Sequence, residues 1–500
     1  MIRNEVGKGA IFLYIQLISS MVSGYIFLIL LSRITTTEII GTFSLLVSIS
    51  EIFANIAVLG LSDSIQKFVG NSFLQNRKKD AEIFVKISFI FLSVGIISSC
   101  IVLVIVKDWL SDAFGIDFGL IIVMNLLIAS YAIYSVLYSL VIASLKTKVL
   151  PIIMIISSIS KVVLSLIMVL MGYGILGLTL GYTFFGQILT SILLGIFVVR
   201  VFKSTGKFPK PTISLRNASK KLLTGGMVAW VPVLITTLGI DLGTLVLYST
   251  YGSHQSGVYF IALALANAVN AIVYTIFTIS LPVLSSMHDG RKRFLWQTIR
   301  ISAIMALPLS GSIIFYSTDI MQFIGSNYEK GTLSLQVLLL STFPIIVLTG
   351  VETLVFSYGK YRHALTINLA SSAPRTILYF LLVPIFGIEG VAISYTTGSV
   401  IGFIASVIIS KRIGLSIFWK PLALTLFLPI SLAFFLETIN ITPIIGIVTT
   451  IVITYILLMK LHIIKKSDGS FFLELMPGKI SKSLVNISNK IEKVIDWFYN

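Results

Sequence analysis

Long runs of apolar residues recur along the whole chain, and they constrain its fold more than any other feature. A helix needs about 20 apolar residues to cross roughly 30 Å of hydrocarbon, and runs of that length follow one another with short polar breaks. Of the 500 residues, 56% are hydrophobic and only 11% are charged, whereas a soluble chain carries about 25% charged residues. The runs therefore predict an all-α, polytopic membrane protein.

The runs divide into about fourteen candidate transmembrane spans of the length a bilayer requires. The first run is too long for a signal-peptide core and lacks a clear cleavage site, which predicts an uncleaved span. Gly-rich turns leave little polar sequence at 171–175 and 385–388. The predicted spans are 10–32, 39–61, 83–106, 118–143, 150–171, 175–199, 222–248, 257–283, 299–316, 333–356, 363–385, 388–410, 418–437 and 441–463.

Basic residues alternate between successive loops, as the positive-inside rule requires. If the N-terminus is cytoplasmic, the inner segments hold clusters such as 77–79 and 291–293, whereas the outer segments hold only Arg33, Lys107 and Lys330. A miscounted span would invert every later loop and destroy this alternation. We therefore expect fourteen spans with both termini cytoplasmic, and the net charge of +17 requires no nucleic acid partner.

The sequence offers little for covalent chemistry. Cys100 is the only cysteine and lies in an apolar run, so neither a disulfide nor a metal or redox role is expected. No P-loop for an ATP-driven pump is present, and the outer segments contain neither D-x-D nor a His/Cys/Asp cluster. We expect a protein that is not an enzyme and has no cofactor and no metal site.

The chain also repeats itself at two similar offsets. The matches, at offsets of 213 and 216, are 174–177 (GILG) with 387–390 (GIEG), Tyr182-Thr183 with Tyr395-Thr396, and Gly41-x-Phe43 with Gly257-x-Tyr259. Similar offsets on equivalent spans indicate a duplication of six helices. Because six is even, both copies enter the membrane in the same direction, which predicts a pseudo-two-fold axis along the membrane normal and a substrate path between the halves.

The repeat and the polar breaks define the expected domain organisation. It comprises an N-terminal lobe at 1–200, a basic cytoplasmic linker at 201–221, a C-terminal lobe at 222–412, two further spans at 413–465 and a cytoplasmic tail at 466–500. In the tail, residues 479–500 place apolar side chains at helical spacing among lysines. This pattern favours an amphipathic helix on the anionic inner leaflet, with a soluble interaction helix as the alternative.

Short motifs at corresponding places in the two halves carry a family resemblance. The first half opens with LSR at 31–33, E-x-x-G-x-F at 38–43 and GLSD at 60–63; the second has IDL at 240–242, then YG and GVY within 251–259. They resemble the polysaccharide transporter family, the Wzx-like lipid-linked oligosaccharide flippases of the multidrug/oligosaccharidyl-lipid/polysaccharide (MOP) superfamily. The resemblance covers essentially the whole chain in topology, repeat and loop pattern.

This resemblance implies a MATE-like fold with two pseudo-symmetric six-helix lobes and two C-terminal helices. It also implies a flippase in the cell (cytoplasmic) membrane that moves polyprenyl-(pyro)phosphate-linked oligosaccharides from the cytoplasmic to the outer leaflet by alternating access. The product would serve cell-surface polysaccharide or glycoprotein assembly. The implied partners are the lipid-linked oligosaccharide, membrane lipids and glycan assembly enzymes, with the glycan and the lipid carrier left open.

Two cations lie deep in apolar spans, where a charge costs at least about 2.5 kcal/mol. Lys161 is about twelve residues, or roughly 18 Å, into span five, and Arg375 lies about as deep in span eleven. These spans correspond in the repeat, so we expect the two cations to face one another across a central cavity. Arg binds phosphate oxygens bidentately and Lys acts as a point charge, so both are predicted to hold the headgroup, or else to neutralise buried carboxylates.

Three carboxylates also lie within spans. Asp241 in span seven, Glu51 in span two and Glu352 in span ten are candidates for lining the cavity or for coupling transport to H⁺ or Na⁺, and structural ion pairs are the alternative. At an offset of 216, Glu51 corresponds to Asn267, which retains polarity without charge.

Other functions remain open beside the flippase. A cation-coupled multidrug exporter of the multidrug and toxin extrusion (MATE) type would be expected to place carboxylates in span one, which has none, although Glu51 keeps that reading open. A lipid II flippase also handles a polyprenyl pyrophosphate, but its expected cation in span one is missing as well. A membrane glycosyltransferase or polymerase would need outer loops larger than those predicted here.

Overall fold

The structure is a computed structural model that describes residues 16, 19–20, 22–75, 77–144, 146–203, 213–465 and 468. The predicted amphipathic helix at 479–500 and linker residues 204–212 lie outside the described residues.

The described residues form helices joined by short turns, and no strand occurs among them. The α-helices with bounds inside the described ranges follow in chain order: α1 Val22–Ile34, α2 Thr37–Val58, α3 Leu61–Leu74, α4 Lys78–Ile105, α5 Lys107–Phe114, α6 Phe118–Ala143, α7 Leu150–Met168, α8 Gly174–Gly181, α9 Leu189–Lys203, α10 Leu215–Ser286, α11 Arg291–Phe315, α12 Ser317–Ile324, α13 Thr332–Leu340, α14 Thr342–Ser357, α15 Tyr361–Arg412, α16 Trp419–Thr438 and α17 Pro443–Lys460. Short 3₁₀ segments at Thr147–Val149 and Ser326–Gly331 and π-helical segments at Val169–Tyr173 and Tyr182–Ile188 complete the path.

Ten helical stretches of the described chain are long and apolar enough to cross a membrane, which confirms the predicted all-α class. Three of them are Thr147–Lys203, Trp230–Ser285 and Tyr361–Arg412, with 57, 56 and 52 residues. About 20 residues suffice for one crossing, so each is long enough for two spans in a continuous helical path. The count of fourteen spans stays a prediction.

Two glycines reverse the chain inside the longest stretches, and they are the pair predicted by the repeat. Gly174 has φ 50° and ψ −130°, and Gly387 has φ 55° and ψ −124°. This region of backbone space is open almost only to glycine. The offset of 213 therefore corresponds to one glycine conformation used at both turns, each of which joins two helical segments without a polar loop, and the first turn has a further glycine at positive φ, Gly172.

The described residues fall into two compact units that divide after Gly257; we call them the N-terminal and the C-terminal unit. In the N-terminal unit, α2 packs on α4 and α6 around an apolar cluster that includes Leu46, Met124 and Ile128. In the C-terminal unit, α11 packs on α14, α16 and α17. The lobe and linker boundaries that were expected from the repeat stay predictions.

A close helix crossing within the N-terminal unit involves the other repeated glycines. A Cβ on Gly41 would lie 1.8 Å from the carbonyl oxygen of Ser253, and a Cβ on Gly257 would lie 2.0 Å from that of Thr37. Thr37 and Ser253 are themselves separated by 216 residues, so the contact is reciprocal. Only glycine allows two helix backbones to approach this closely, which gives the predicted Gly41–Gly257 correspondence a structural cause.

Candidate functional site

Lys161 lies near the middle of α7 and is half-buried beneath aromatic rings. Its Nζ is 4.9 Å from the ring centroid of Tyr182 and 5.3 Å from that of Phe27. The faces of aromatic rings attract a cation. Among the described residues no carboxylate oxygen lies within 4 Å of Nζ, so the rings and not an ion pair hold this charge.

Tyr182 begins the π-helical segment after α8, and π-helical insertions are frequent at functional sites because they reorient side chains. The turn at Gly174 brings this segment back alongside α7. A Cβ on Gly186 would lie 3.0 Å from Cδ of Lys161, so the glycine makes room for the lysine stem. Local backbone geometry thus places the tyrosine ring over the cation.

The hydroxyl groups of Tyr182 and Tyr131 are 2.9 Å apart and share a hydrogen bond; we call these residues the tyrosine pair. Tyr131 lies on α6, and the Tyr182 ring also meets the Phe43 ring edge-on, with 5.2 Å between centroids. The pair therefore joins the helix beside Lys161 to the helices that carry the acidic residues.

Glu51 and Asp241 come together in the N-terminal unit, where the sequence could not establish their proximity. Ser48 lies one turn before Glu51 on α2 and hydrogen-bonds to Asp241 of α10, and the two carboxyl groups interact electrostatically with each other and with Tyr131. Asp241 is only 8% exposed. We call this arrangement the carboxyl pair, since the charge on one group affects the protonation of the other.

Arg375 is buried in the C-terminal unit on α15, with 5% of its surface exposed. Its guanidinium carbon is 4.1 Å from the centroid of the Tyr395 ring, and Nη2 donates a 2.9 Å hydrogen bond to Oγ of Ser399. Nε has no hydrogen-bond partner, and no carboxylate among the described residues lies within 4 Å. The cation is fixed by a ring and a hydroxyl, and its Nε–H group makes no hydrogen bond.

Glu352 lies in the same neighbourhood of the C-terminal unit. Its Oε1 accepts a 2.8 Å hydrogen bond from Nδ2 of Asn368. Tyr274 interacts electrostatically with both Glu352 and Arg375 and hydrogen-bonds to Tyr395. A cation, two tyrosines and a carboxylate thus form one group here as well.

The sequence-predicted site residues therefore fall into two groups, one in each unit. Lys161, Glu51 and Asp241 are linked through the tyrosine pair, whereas Arg375 and Glu352 are linked through Tyr274. Asn267, the repeat equivalent of Glu51, is half-buried on α10, and its cavity-lining role stays a prediction. The predicted approach of the two cations across a cavity also stays a prediction.

Sequence reasoning missed the aromatic partners of the cations. The repeat offered one sequence signal for Tyr182 and Tyr395, since each follows the glycine turn of its own half. No sequence signal pointed to Tyr131 and Tyr274, because they approach the site from distant spans. In the described part of the chain no group of three His, Cys, Asp or Glu side chains is placed to hold a metal ion.

A buried ion pair was missed as well. Arg300 on α11 and Asp468 beyond α17 form a salt bridge with both residues 6% exposed. Asp468 also accepts a 2.8 Å hydrogen bond from the backbone N–H of Lys465. The bond ties the segment after α17 to α11 and lies outside both groups described above.

Comparison with known proteins identifies the family. A family described as polysaccharide biosynthesis protein matches residues 6–288, more than half of the chain. The probable flippase AglR of Haloferax volcanii is 24% identical over 237 residues, which are 45% of this chain and 48% of that protein. The chain thus spans about half the length of this curated relative.

Two solved structures share the fold at low sequence identity. The lipid II flippase MurJ, in an inward closed conformation, has a TM-score of 0.62 and 16% identity, with 91% of this chain and 99% of that chain covered. An inward-facing MATE transporter of the MOP superfamily has a TM-score of 0.59 and 15% identity, with 81% and 98% covered. The chain is therefore a multi-pass membrane protein that shares the fold of these two proteins and belongs to the polysaccharide biosynthesis protein family.

Proposed function

We propose that this protein moves a polyprenyl-(pyro)phosphate-linked oligosaccharide from the cytoplasmic to the outer leaflet by alternating access and performs no covalent chemistry. The product would serve cell-surface polysaccharide or glycoprotein assembly, with glycan assembly enzymes as partners. The family and the shared fold support a transporter of this class. The alternation of basic loops supports a location in the cell membrane with both termini cytoplasmic.

The observation that carries this proposal is the pair of cations on repeat-equivalent spans, each held against a tyrosine ring without a close carboxylate in the described chain. A buried cation without a counterion is costly, and an anionic headgroup can supply that counterion. Phosphate oxygens suit both a guanidinium fork and an ammonium group. Lys161 and Arg375 are therefore proposed to bind the pyrophosphate.

Outward movement of this anion gains energy from an inside-negative potential, at about 2.3 kcal/mol per charge per 100 mV. Coupling to H⁺ or Na⁺ would add to this gradient. The carboxyl pair of Glu51 and Asp241 is the proposed site of such coupling, because the two groups are close and partly or fully buried.

The test is a proteoliposome assay of flipping with a polyprenyl-pyrophosphate oligosaccharide. We expect Lys161→Ala and Arg375→Ala each to lower the rate about tenfold or more, as expected for loss of a charged hydrogen bond. Lys107→Ala is the matched control, since Lys107 also lies over an aromatic ring, at 5.9 Å from Phe118, but outside the site. Flipping that is equal in all variants would refute the headgroup role.

A second candidate is a cation-coupled drug exporter, which the carboxyl pair favours because such transport requires an acidic coupling site. Export of cationic dyes under a proton or Na⁺ gradient, without flipping of the lipid, would select it. Lipid II in the same proteoliposomes distinguishes a third candidate, because preferential flipping of lipid II over other pyrophosphate lipids would identify a lipid II flippase.

A further inference from the structure

The group around Lys161 contains more groups that can carry a negative charge than groups that can carry a positive one. When both carboxyl groups are ionised, Glu51 and Asp241 contribute two negative charges against the single positive charge of Lys161. One bound proton therefore balances the group in its low-dielectric surroundings. If an anionic headgroup then neutralises Lys161, the balance is disturbed, and a second proton from water restores it.

The tyrosine pair connects the two places where these charges change. The Tyr182 ring contacts Nζ of Lys161 at 4.9 Å, its hydroxyl bonds to that of Tyr131 at 2.9 Å, and Tyr131 interacts with Glu51 and Asp241. Two contacts and one electrostatic interaction thus link the cation to both carboxyl groups. Among the described residues, the phenol of Tyr134 on α6 also interacts electrostatically with Tyr182 and with Tyr138.

Hydrogen bonding gives the pair two arrangements. A phenol has one hydrogen to donate and lone pairs to accept, so only one of the two hydroxyls can donate to the other. Hydroxyl dipoles orient in the local field. With an ionised carboxyl group nearby, Tyr131 directs its hydrogen towards that group and accepts from Tyr182. With the carboxyl groups protonated, Tyr131 donates to Tyr182, whose hydroxyl also hydrogen-bonds to the side chain of Gln187, and the Tyr182 hydrogen can turn towards a headgroup oxygen.

We infer that the tyrosine pair couples headgroup binding at Lys161 to proton uptake by Glu51 and Asp241. This inference rests on the proposed function, because it requires an anion at Lys161. Proton uptake forms one O–H bond on a carboxylate oxygen and breaks one bond to hydrogen in the donor, a hydronium ion or buffer acid of the surrounding solution. No bond between heavy atoms changes, and the hydroxyl pair reverses its direction. Tyr131 and Tyr182 are then positioning residues that link two binding events.

Calorimetry on the detergent-purified full chain tests this link without requiring transport. Farnesyl pyrophosphate serves as the probe, and its binding heat is measured in buffers with different ionisation enthalpies, since the slope against ionisation enthalpy counts the protons taken up. We expect a slope that shows uptake in the wild type and a slope near zero in Tyr131→Phe and Tyr182→Phe. Affinity should stay within about threefold in Tyr131→Phe, because Tyr131 is not placed against the headgroup and the cation–π contact remains. Tyr182→Phe should bind more weakly, since it also loses its hydrogen bond to the headgroup, and the comparison of slopes therefore depends first on Tyr131→Phe.

Tyr138→Phe is the matched control. It lies two turns after Tyr131 on α6 and loses a comparable hydroxyl bond, which runs 2.9 Å to Gln16, outside the link. We expect its slope to equal that of the wild type. A purely structural role for the tyrosines would lower affinity or thermal stability while leaving the slope unchanged, and that result would overturn the inference.

The outcomes also separate this inference from the proposed function. Binding that depends on Lys161 but shows no proton uptake in the wild type, or equal uptake in all tyrosine variants, overturns the link and leaves the headgroup assignment standing. Binding that is absent, or that is unaffected by Lys161→Ala, overturns the headgroup assignment and the link together.

Discussion

The two units each place a cation over a tyrosine ring across the same glycine turn, yet they hold that cation differently. In the N-terminal unit, Lys161 is half-buried and touches rings, and its acidic neighbours interact with each other. In the C-terminal unit, Arg375 is 5% exposed and bonded to Ser399, and Glu352 is bonded to an amide. The charged groups of the N-terminal unit can therefore respond to a bound anion or proton, whereas Arg375 and Glu352 of the C-terminal unit are fixed by hydrogen bonds.

The remaining members of the two groups have exchanged helices. In the N-terminal unit the acid Glu51 comes from span two and the tyrosine Tyr131 from span four. In the C-terminal unit the tyrosine Tyr274 comes from span eight, the repeat equivalent of span two, and the acid Glu352 from span ten, the equivalent of span four. The cation and its ring are thus common to both halves of the predicted duplication, while the acid and the second tyrosine come from different helices in each half.

The largest expected effect tests whether the C-terminal unit depends on fixed charges. Removing one partner of a buried ion pair costs about 3–5 kcal/mol, so Arg300→Ala should lower the free energy of unfolding by that amount. Thermal unfolding in detergent measures it. The exposed Arg293→Ala on the same helix should change stability by less than about 0.5 kcal/mol. Equal effects of the two variants would show that the pair with Asp468 contributes nothing.

The next effect concerns Arg375 itself. Arg375→Lys retains the charge but loses the planar group that stacks on Tyr395 and bonds to Ser399. Charged hydrogen bonds contribute about 1.5–3 kcal/mol, so affinity for a pyrophosphate lipid should fall about 10- to 100-fold. A binding titration measures this change. Unchanged affinity would mean that only the charge at this position matters.

A third test asks whether the two glycine turns are equivalent. Gly174→Ala and Gly387→Ala should each cost about 1–3 kcal/mol, because alanine is strained at positive φ. The two costs should be similar, as measured by thermal unfolding. Gly119→Ala on α6 is the control, since an added Cβ there meets no atom within 4 Å and should be tolerated. A cost at one turn alone would break the structural equivalence of the halves.

The smallest effect is expected at Lys161, in contrast to Arg375. Aromatic rings attract guanidinium and ammonium groups alike, so Lys161→Arg should bind a pyrophosphate lipid within about threefold of the wild type. Lys161→Met, which removes the charge, should bind far more weakly in the same titration. A loss in Lys161→Arg as large as that in Arg375→Lys would erase the distinction between a responsive and a fixed cation.

Several elements of the fold could be predicted because their cause is local. Apolar runs of about 20 residues suffice to identify spans, and the repeated glycines at 174 and 387 mark one backbone conformation. The depth of Lys161 and Arg375 within their spans could also be predicted, since it depends only on counting residues.

The contacts of the site could not be predicted, because they join residues far apart in sequence. In a membrane protein the face that meets lipid and the face that meets other helices are both apolar, so periodicity does not reveal which helix a residue contacts. Tyr131 and Tyr182 are 51 residues apart, and Arg300 and Asp468 are 168 apart. Nothing local marks either pairing.

The turn at Gly174 has a consequence for how the protein is made. Residues 171–175 contain no charged side chain, and the chain there reverses between α7 and α8 without a polar loop. Nothing in this turn resists translocation, and nothing in it needs to remain in water. We expect the two flanking segments to enter the bilayer together as one helical hairpin. Lys161 on the first segment would then contact the ring of Tyr182 on the second before its charge is exposed to hydrocarbon.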